Sequence, residues 1–250
     1  MATKSQIEWT EQTWNPTTGC TKVSPGCKHC YAETMAVRLK AMGANGYDNA
    51  FDLSLMEDRL NQPIRRKKPT VYFVNSMSDL FHEDIPDGYL DKVFDVISKT
   101  PQHTYQILTK RSERMREYFL NEKLPENVWL GVSVEDKKYG IPRIDDLRAI
   151  EATVRFLSVE PLLEDLGDFN LNKIHWVIVG GESGPKARPM SESWVDNIYK
   201  LCKTSEVAFF FKQWGGWGAD GKKRAKKENG REFNGRTWDE MPSISSNAQL

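Results

Sequence analysis

Val154-Arg155-Phe156-Leu157-Ser158-Val159-Glu160 is a run of β-branched, aliphatic and aromatic residues that ends on a carboxylate, and Trp176-Val177-Ile178-Val179-Gly180-Gly181-Glu182 repeats the form soon after. Short apolar runs bounded by turn residues read as buried strands. Runs of the same kind occupy residues 71–75, 105–109, 128–134 and 207–212. Between them lie stretches with helical spacing. Residues 89–98 place Leu90, Val93, Phe94 and Ile97 on one face, and residues 194–202 do the same with Val195, Ile198 and Leu201. Strand followed by helix, repeated, implies a parallel sheet. A weaker strand is expected upstream, at residues 7–9 or 13–15.

Six or seven units of roughly 20 to 35 residues each fit an α/β chain folded as a full or partial TIM-like (β/α) barrel better than an open doubly wound sheet. The expected organisation is a barrel over residues 1–217, with a thiol-bearing loop at 18–32, followed by a polar, partly basic extension over 218–250.

The bulk composition suits that architecture. The chain has 250 residues, of which 39% are hydrophobic and 11% aromatic, so a disordered or fibrous protein is excluded. Lys plus Arg equals Asp plus Glu at 35 each, so no global field draws in polyanions and any affinity for nucleic acid must come from local patches. The first residues are polar, and nowhere do eighteen apolar residues run together, so a soluble, cytoplasmic protein with no membrane partner is expected. In such a compartment the four cysteines do not form a disulfide framework.

The strand ends are polar where the strand bodies are not. Along the chain they carry Asn75, Ser76, Ser78 and Asp79; Lys110 and Arg111; Ser133, Glu135 and Asp136; Glu160; Gly180, Gly181 and Glu182; and Lys212 and Gln213. In a (β/α) barrel these tips converge on one face, where active sites sit.

Three of the four cysteines fall in Gly19-Cys20-Thr21-Lys22-Val23-Ser24-Pro25-Gly26-Cys27-Lys28-His29-Cys30, a loop punctuated by proline and glycine just before a helical stretch. Three thiolates with no fourth nearby suit a cubane iron–sulfur cluster that keeps one iron open. A structural zinc site wants four closed ligands. Counting His29 would complete a three-Cys, one-His zinc set, although adjacent His29 and Cys30 would then have to bind the same ion. Spacing alone leaves cluster, zinc and plain thiols open. Cys202, on the apolar face of the last helical stretch, reads as core.

The loop is similar to the cluster loop of radical S-adenosylmethionine enzymes, but its first gap is three residues longer than their usual CxxxCxxC. The longer form, with Trp14-Asn15-Pro16 and Cys30-Tyr31-Ala32-Glu33, resembles a phage and prophage family of radical-SAM-like proteins with a three-cysteine motif. So do later blocks, among them residues 108–111, 129–135, 158–162, 180–184, 211–215 and 235–240. The resemblance covers nearly the whole chain.

It implies a [4Fe–4S] cluster on Cys20, Cys27 and Cys30, and S-adenosylmethionine as the molecule that cluster acts on. The open iron would take the amino and carboxylate groups of the methionine half, and one electron from the cluster would break the S–C5′ bond to give a 5′-deoxyadenosyl radical. Asn75, Ser76, Ser78 and Asp79 then stand where the superfamily meets the amino group, and Lys110 or Arg111 could meet the carboxylate. Ser133, Glu135 and Glu160 are candidates for the ribose, and the backbone near His29 and Tyr31, or near Gly180, Gly181 and Glu182, for adenine. Such chemistry needs an electron donor such as flavodoxin or ferredoxin. The substrate is not named by any motif; a nucleic-acid base is one candidate.

Two basic runs, Arg65-Arg66-Lys67-Lys68 and Lys222-Lys223-Arg224-Ala225-Lys226-Lys227, could hold phosphates or simply be solvated. The competing functional class is therefore a zinc-stabilised nucleic-acid-binding module without catalysis, and a third is a barrel acting through a partner protein.

Overall fold

The computed structural model describes Ser5 and residues 7–243; the rest of the expected polar N-terminus and the last seven residues of the expected extension lie outside the described residues. Seven strands form one all-parallel sheet. They are β1 (Gln12–Trp14), β4 (Val71–Val74), β5 (Thr104–Thr109), β6 (Val128–Ser133), β7 (Val154–Val159), β8 (Trp176–Gly180) and β9 (Ala208–Gln213). Two further strands, β2 (Thr17–Thr18) and β3 (Ser54–Leu55), pair antiparallel with each other in the long insertion between β1 and β4.

Spatial order in the large sheet follows chain order, β1-β4-β5-β6-β7-β8-β9. A doubly wound sheet reverses direction at its centre; this one never does, and curls into an open half-barrel. The expected partial barrel of six or seven units is what forms. The weak first strand takes residues 12–14, and Trp9 turns inward instead.

Helices cross between the strands: α1 (Tyr31–Ala41) and α2 (Glu57–Leu60) in the first insertion, then α3 (Asp87–Ser98), α4 (Ser112–Tyr118), α5 (Gly140–Arg148) and α6 (Glu192–Thr204). A short α7 (Lys226–Asn229) follows the last strand. The period-two alternation of the strands divides their side chains between two cores. Outward-facing Val74, Ile107, Val132, Leu157, Val177 and Phe209 pack on helix residues such as Leu90, Val93, Met115, Leu147, Val195 and Cys202.

Inward-facing Phe73, Trp129, Phe156, Trp176, Ile178 and Phe210 pack with Trp9 into a second cluster. Trp176 makes edge contacts with Trp9, Trp129 and Phe210 at 5.8, 6.1 and 5.9 Å between ring centroids. Gly131 is required beside it, since a Cβ there would lie 2.5 Å from the Phe156 ring. Aromatic rings thus plug the lower half-barrel. Above them the inward positions become small or polar, with Ser133, Ser158 and Gly180 at the strand ends.

A free strand edge invites pairing with other chains, and β9 is covered against it. The Phe211 N–H donates to the Trp238 carbonyl (2.9 Å), and Phe233 and Trp238 bury themselves against Tyr199 and Phe209. Among the described residues no helix is long and apolar enough to cross a membrane.

Candidate functional site

Parallel strands put all their C-terminal ends on one face, and the cysteine loop is fastened there by three consecutive tips. After β4, the Ser78 hydroxyl donates to the Gly19 carbonyl at 2.6 Å. After β5, the Arg111 guanidinium donates to Cys20 Sγ at 3.4 Å and to Thr21 Oγ1 at 2.7 Å. After β6, the Glu135 carboxylate accepts from the Ser24 hydroxyl.

Two glycines let the loop lie this close. Gly19 adopts a positive φ of 78°, and a Cβ there would sit 2.1 Å from the Asp52 carbonyl oxygen; at Gly26 it would sit 2.9 Å from Glu135 Oε1. The loop then makes a single 3₁₀ turn at Pro25–Cys27, and Cys30 is the residue from which α1 starts. Ala32 and Ala36 seat that helix against Tyr47 and Met77.

Cys20, Cys27 and Cys30 are free and half-buried, whereas Cys202 is fully buried in the outer core. Burial, and then the Asp79 carboxylate, push the Cys20 thiol up to about 11, with Arg111 opposing them.

Arg111 is held from behind. Its partner Asp79 (3.3 Å) is itself fixed by the Thr109 hydroxyl (2.6 Å) and the amides of Phe81 and Lys110 (3.0 Å each), and Glu83 takes the Arg111 Nε at 2.5 Å. Replacing Arg111 with methionine releases the Cys20 end of the loop. The amide of Cys20, bonded to the Phe51 carbonyl, is expected to exchange its hydrogen roughly tenfold faster in a mass-spectrometric exchange experiment, equivalent to about 1.4 kcal/mol of local opening.

Glu135 is fully buried. Arg143 Nη1 lies 2.7 Å from its Oε2 and Lys110 Nζ 3.9 Å away. Burial works to raise its pKa, but the charges of Lys110 and Arg143 outweigh burial and hold the carboxyl below its ordinary value. Across the mouth, Glu160 pairs with Lys212 at 3.2 Å and lies so close over Gly180 that a Cβ there would meet its carboxylate.

Gly181 passes equally close to the Trp214 carbonyl. Glu182 accepts from the Arg188 amide and Nε, both at 2.8 Å; Arg188 holds it below its ordinary value against the effect of burial, with His29 of the cysteine loop contributing.

The residues read from sequence therefore share one rim, but in two kinds of role. Asn75, in the left-handed region at φ 59°, exchanges hydrogen bonds with Thr17; Ser76 donates to Asn15; and Ser78, Asp79, Glu135 and Glu182 are engaged by protein partners. Ser133 is buried beneath the mouth, its carbonyl taken by Arg143. Lys110 and Glu160, after β5 and β7, are paired with Glu135 and Lys212, and Gly180 and Gly181 pass close under Glu160 and the Trp214 carbonyl. Sequence reading missed Arg143 and Arg188, whose only signal was position, one helical stretch or one loop downstream of a strand-tip glutamate.

Three free thiols on one loop, with the fourth cysteine away in the outer core, are the donor types that a cubane with one open iron uses.

A family model described as a protein of unknown function (DUF5131) matches residues 4–242. Similar solved structures include a tyrosine-to-phenylalanine variant of spore photoproduct lyase, at 13% identity and a TM-score of 0.55, with 86% of this chain and 79% of that one covered. A cysteine-to-alanine variant of the lyase has the same identity and TM-score, covering 85% and 78%. Spore photoproduct lyase complexed with dinucleoside spore photoproduct matches at 14% identity and a TM-score of 0.50, covering 80% of this chain. The chain spans 63% of the length of the lyase in that complex. No curated protein matches in sequence. At these identities the likeness is one of fold.

Proposed function

This chain belongs to the DUF5131 family, and from that premise and the architecture of its cysteine loop we propose a radical S-adenosylmethionine-type enzyme that holds a [4Fe–4S] cluster on Cys20, Cys27 and Cys30. The family description carries no activity. The observation that carries the proposal is the clamp: three consecutive strand tips, through Ser78, Arg111 and Glu135, pin a loop with three free thiols over the open mouth of a half-barrel.

When bound, the cluster and S-adenosylmethionine supply a reductively generated carbon radical. The chain's own residues then have three tasks. Arg111 and Glu135 keep the sulfurs in place. Lys110, the cation at the mouth between β5 and β6, takes the cofactor's carboxylate, and Glu160, beside Ser133 and Ser158, takes the ribose. Asn75 and Ser76, at the end of β4, would meet the amino group, and the backbone at Gly180 and Gly181 the adenine.

Gln213 braces the turn after β8 from within: its Nε2 donates to Ser183 Oγ (2.9 Å) and the Gly181 carbonyl (3.3 Å). Below, the Trp9, Trp129 and Trp176 plug keeps water from the mouth's floor.

The lyase of similar fold was solved with a dinucleoside photoproduct, and a nucleic-acid base is the substrate class proposed here. The test is anaerobic reconstitution with iron and sulfide, followed by reduction in the presence of S-adenosylmethionine. Release of 5′-deoxyadenosine is expected. A fully loaded cluster that releases none with any reductant would overturn the proposal, as would one zinc per chain without iron or acid-labile sulfide.

A further inference from the structure

The two basic runs are equivalent as sequence and opposite in space. Arg65-Arg66-Lys67-Lys68 precedes β4 and so lies at the N-terminal end of the sheet, away from the cysteine loop. Arg66 is also drawn inward, its Nε donating to Thr70 Oγ1 at 2.5 Å. The second run follows β9, on the mouth side.

There it is built into a defined ridge. Trp217 and Lys223 form an antiparallel bridge, closed by the Gly218 N–H donating to the Lys222 carbonyl at 2.9 Å. The ridge rests on the tips of β8 and β9: the Gly216 amide donates to the Glu182 carbonyl (2.8 Å), Trp217 Nε1 to the Ala187 carbonyl (2.7 Å), and Arg231 Nε to the Lys212 carbonyl (3.0 Å).

Its charge is unbalanced. Asp220 is taken by Arg224, and the Glu228 carboxylate turns back to the Ala225 amide. Lys222, Lys223, Lys226 and Lys227, with Lys186 on the neighbouring loop, are exposed, and among the described residues none is in an ion pair. Lys223 Nζ donates to the Pro185 carbonyl (2.6 Å) and stands 5.7 Å from the Trp217 ring centroid, so it keeps its charge and fixes the ridge on the neighbouring loop. Glu182 joins the ridge to the tip of β8, its carbonyl bound by the Gly216 amide and its carboxylate by Arg188.

We propose that the ridge formed by Lys186, Lys222, Lys223, Lys226, Lys227 and Trp217 docks the phosphate backbone of a nucleic-acid strand and presents its bases to the half-barrel mouth. The proposal rests on the radical-enzyme reading only for what happens to a base after it arrives. Flexible ammonium groups suit contacts to phosphates that carry no sequence information, and an aromatic face beside a cation suits a stacked base. A lipid surface fits less well, because no exposed large apolar side chain among the described residues lies between 183 and 231.

The experiment titrates the full-length chain, without iron or cofactor, into a fluorescent single-stranded oligonucleotide of mixed sequence and reads anisotropy over a series of salt concentrations. Replacing Lys222, Lys223, Lys226 and Lys227 with glutamate is expected to weaken binding at least about tenfold and to flatten the dependence of log K on log salt by about three. Arg65→Glu, Lys67→Glu and Lys68→Glu together form the control at the other end of the barrel and are expected to leave both quantities near wild type. Circular dichroism of each variant confirms folding.

Equal loss in both variants, no loss in the ridge variant, or no binding by the wild type overturns the docking proposal. Ridge-dependent binding by a wild-type chain that releases no 5′-deoxyadenosine after reconstitution would leave docking standing and overturn the enzyme alone.

Discussion

Cys27→Ala is expected to leave a folded protein that holds no intact [4Fe–4S] cluster and releases 5′-deoxyadenosine at least about 100-fold more slowly than wild type. Even outer-shell partners of a metal site cost about 10–100-fold when removed, and a direct ligand costs more. The fold survives because Cys27 sits half-exposed in the one-turn Pro25–Cys27 helix. Among the described residues its sulfur's one hydrogen-bond partner is the Ser24 hydroxyl at 3.8 Å. Substitutions at such positions usually change stability by no more than about 0.5 kcal/mol.

Cys202→Ala is the counterpart. Cys202, on α6, is fully buried and packs in the outer core, so its loss is expected to cost about 1 kcal/mol through the cavity left behind. Iron and sulfide content should be unchanged. Iron analysis and urea unfolding of both variants separate the two kinds of cysteine. Equal iron content in Cys27→Ala and wild type would remove Cys27 from the ligand set.

Glu135→Gln is expected to destabilise the fold by about 3 kcal/mol, the usual size when one member of a buried pair is removed and the other charge stays behind. The stranded charge is Arg143, itself nearly buried, with Lys110 beside it. The amide keeps the shape and can still accept from Ser24, so the loss is electrostatic.

The wild-type pH dependence follows from the same pair. A carboxyl held below its ordinary value contributes stability that is complete above that value and disappears as the pH falls through the lowered one. Urea unfolding midpoints of the wild type should therefore drop below about pH 4.5, with a shallower slope in Glu135→Gln. Equal slopes would show that Glu135 does not carry this dependence.

The sheet was legible because its central strands are buried on both faces, which forces uninterrupted apolar runs such as residues 154–159 and 176–179. β1 was faint for the opposite reason: three residues, only one of them fully buried. Helix α5 was hidden by its buried polar contacts. Its inward face carries Arg143 and Asp146 beside Ile144 and Leu147, so the apolar stripe that marks a helix is interrupted where it meets Glu135 and Ser112.

The strand tips could be read as a group, because parallel topology sends them all to one face. Which tips brace the loop and which line the mouth could not. That division depends on partners such as Asp79 with Arg111, thirty-two positions apart. The two basic runs differ only in which end of a strand they adjoin, and their composition does not record it.

The strand order has a consequence for what this molecule can grip. A closed barrel has a circular rim, and a long chain can enter only by an end or by an extruded loop. Here β1 and β9 are the two margins of an arc, so the rim does not close into a ring. A nucleic-acid strand docked as proposed would then need no free terminus and no threading.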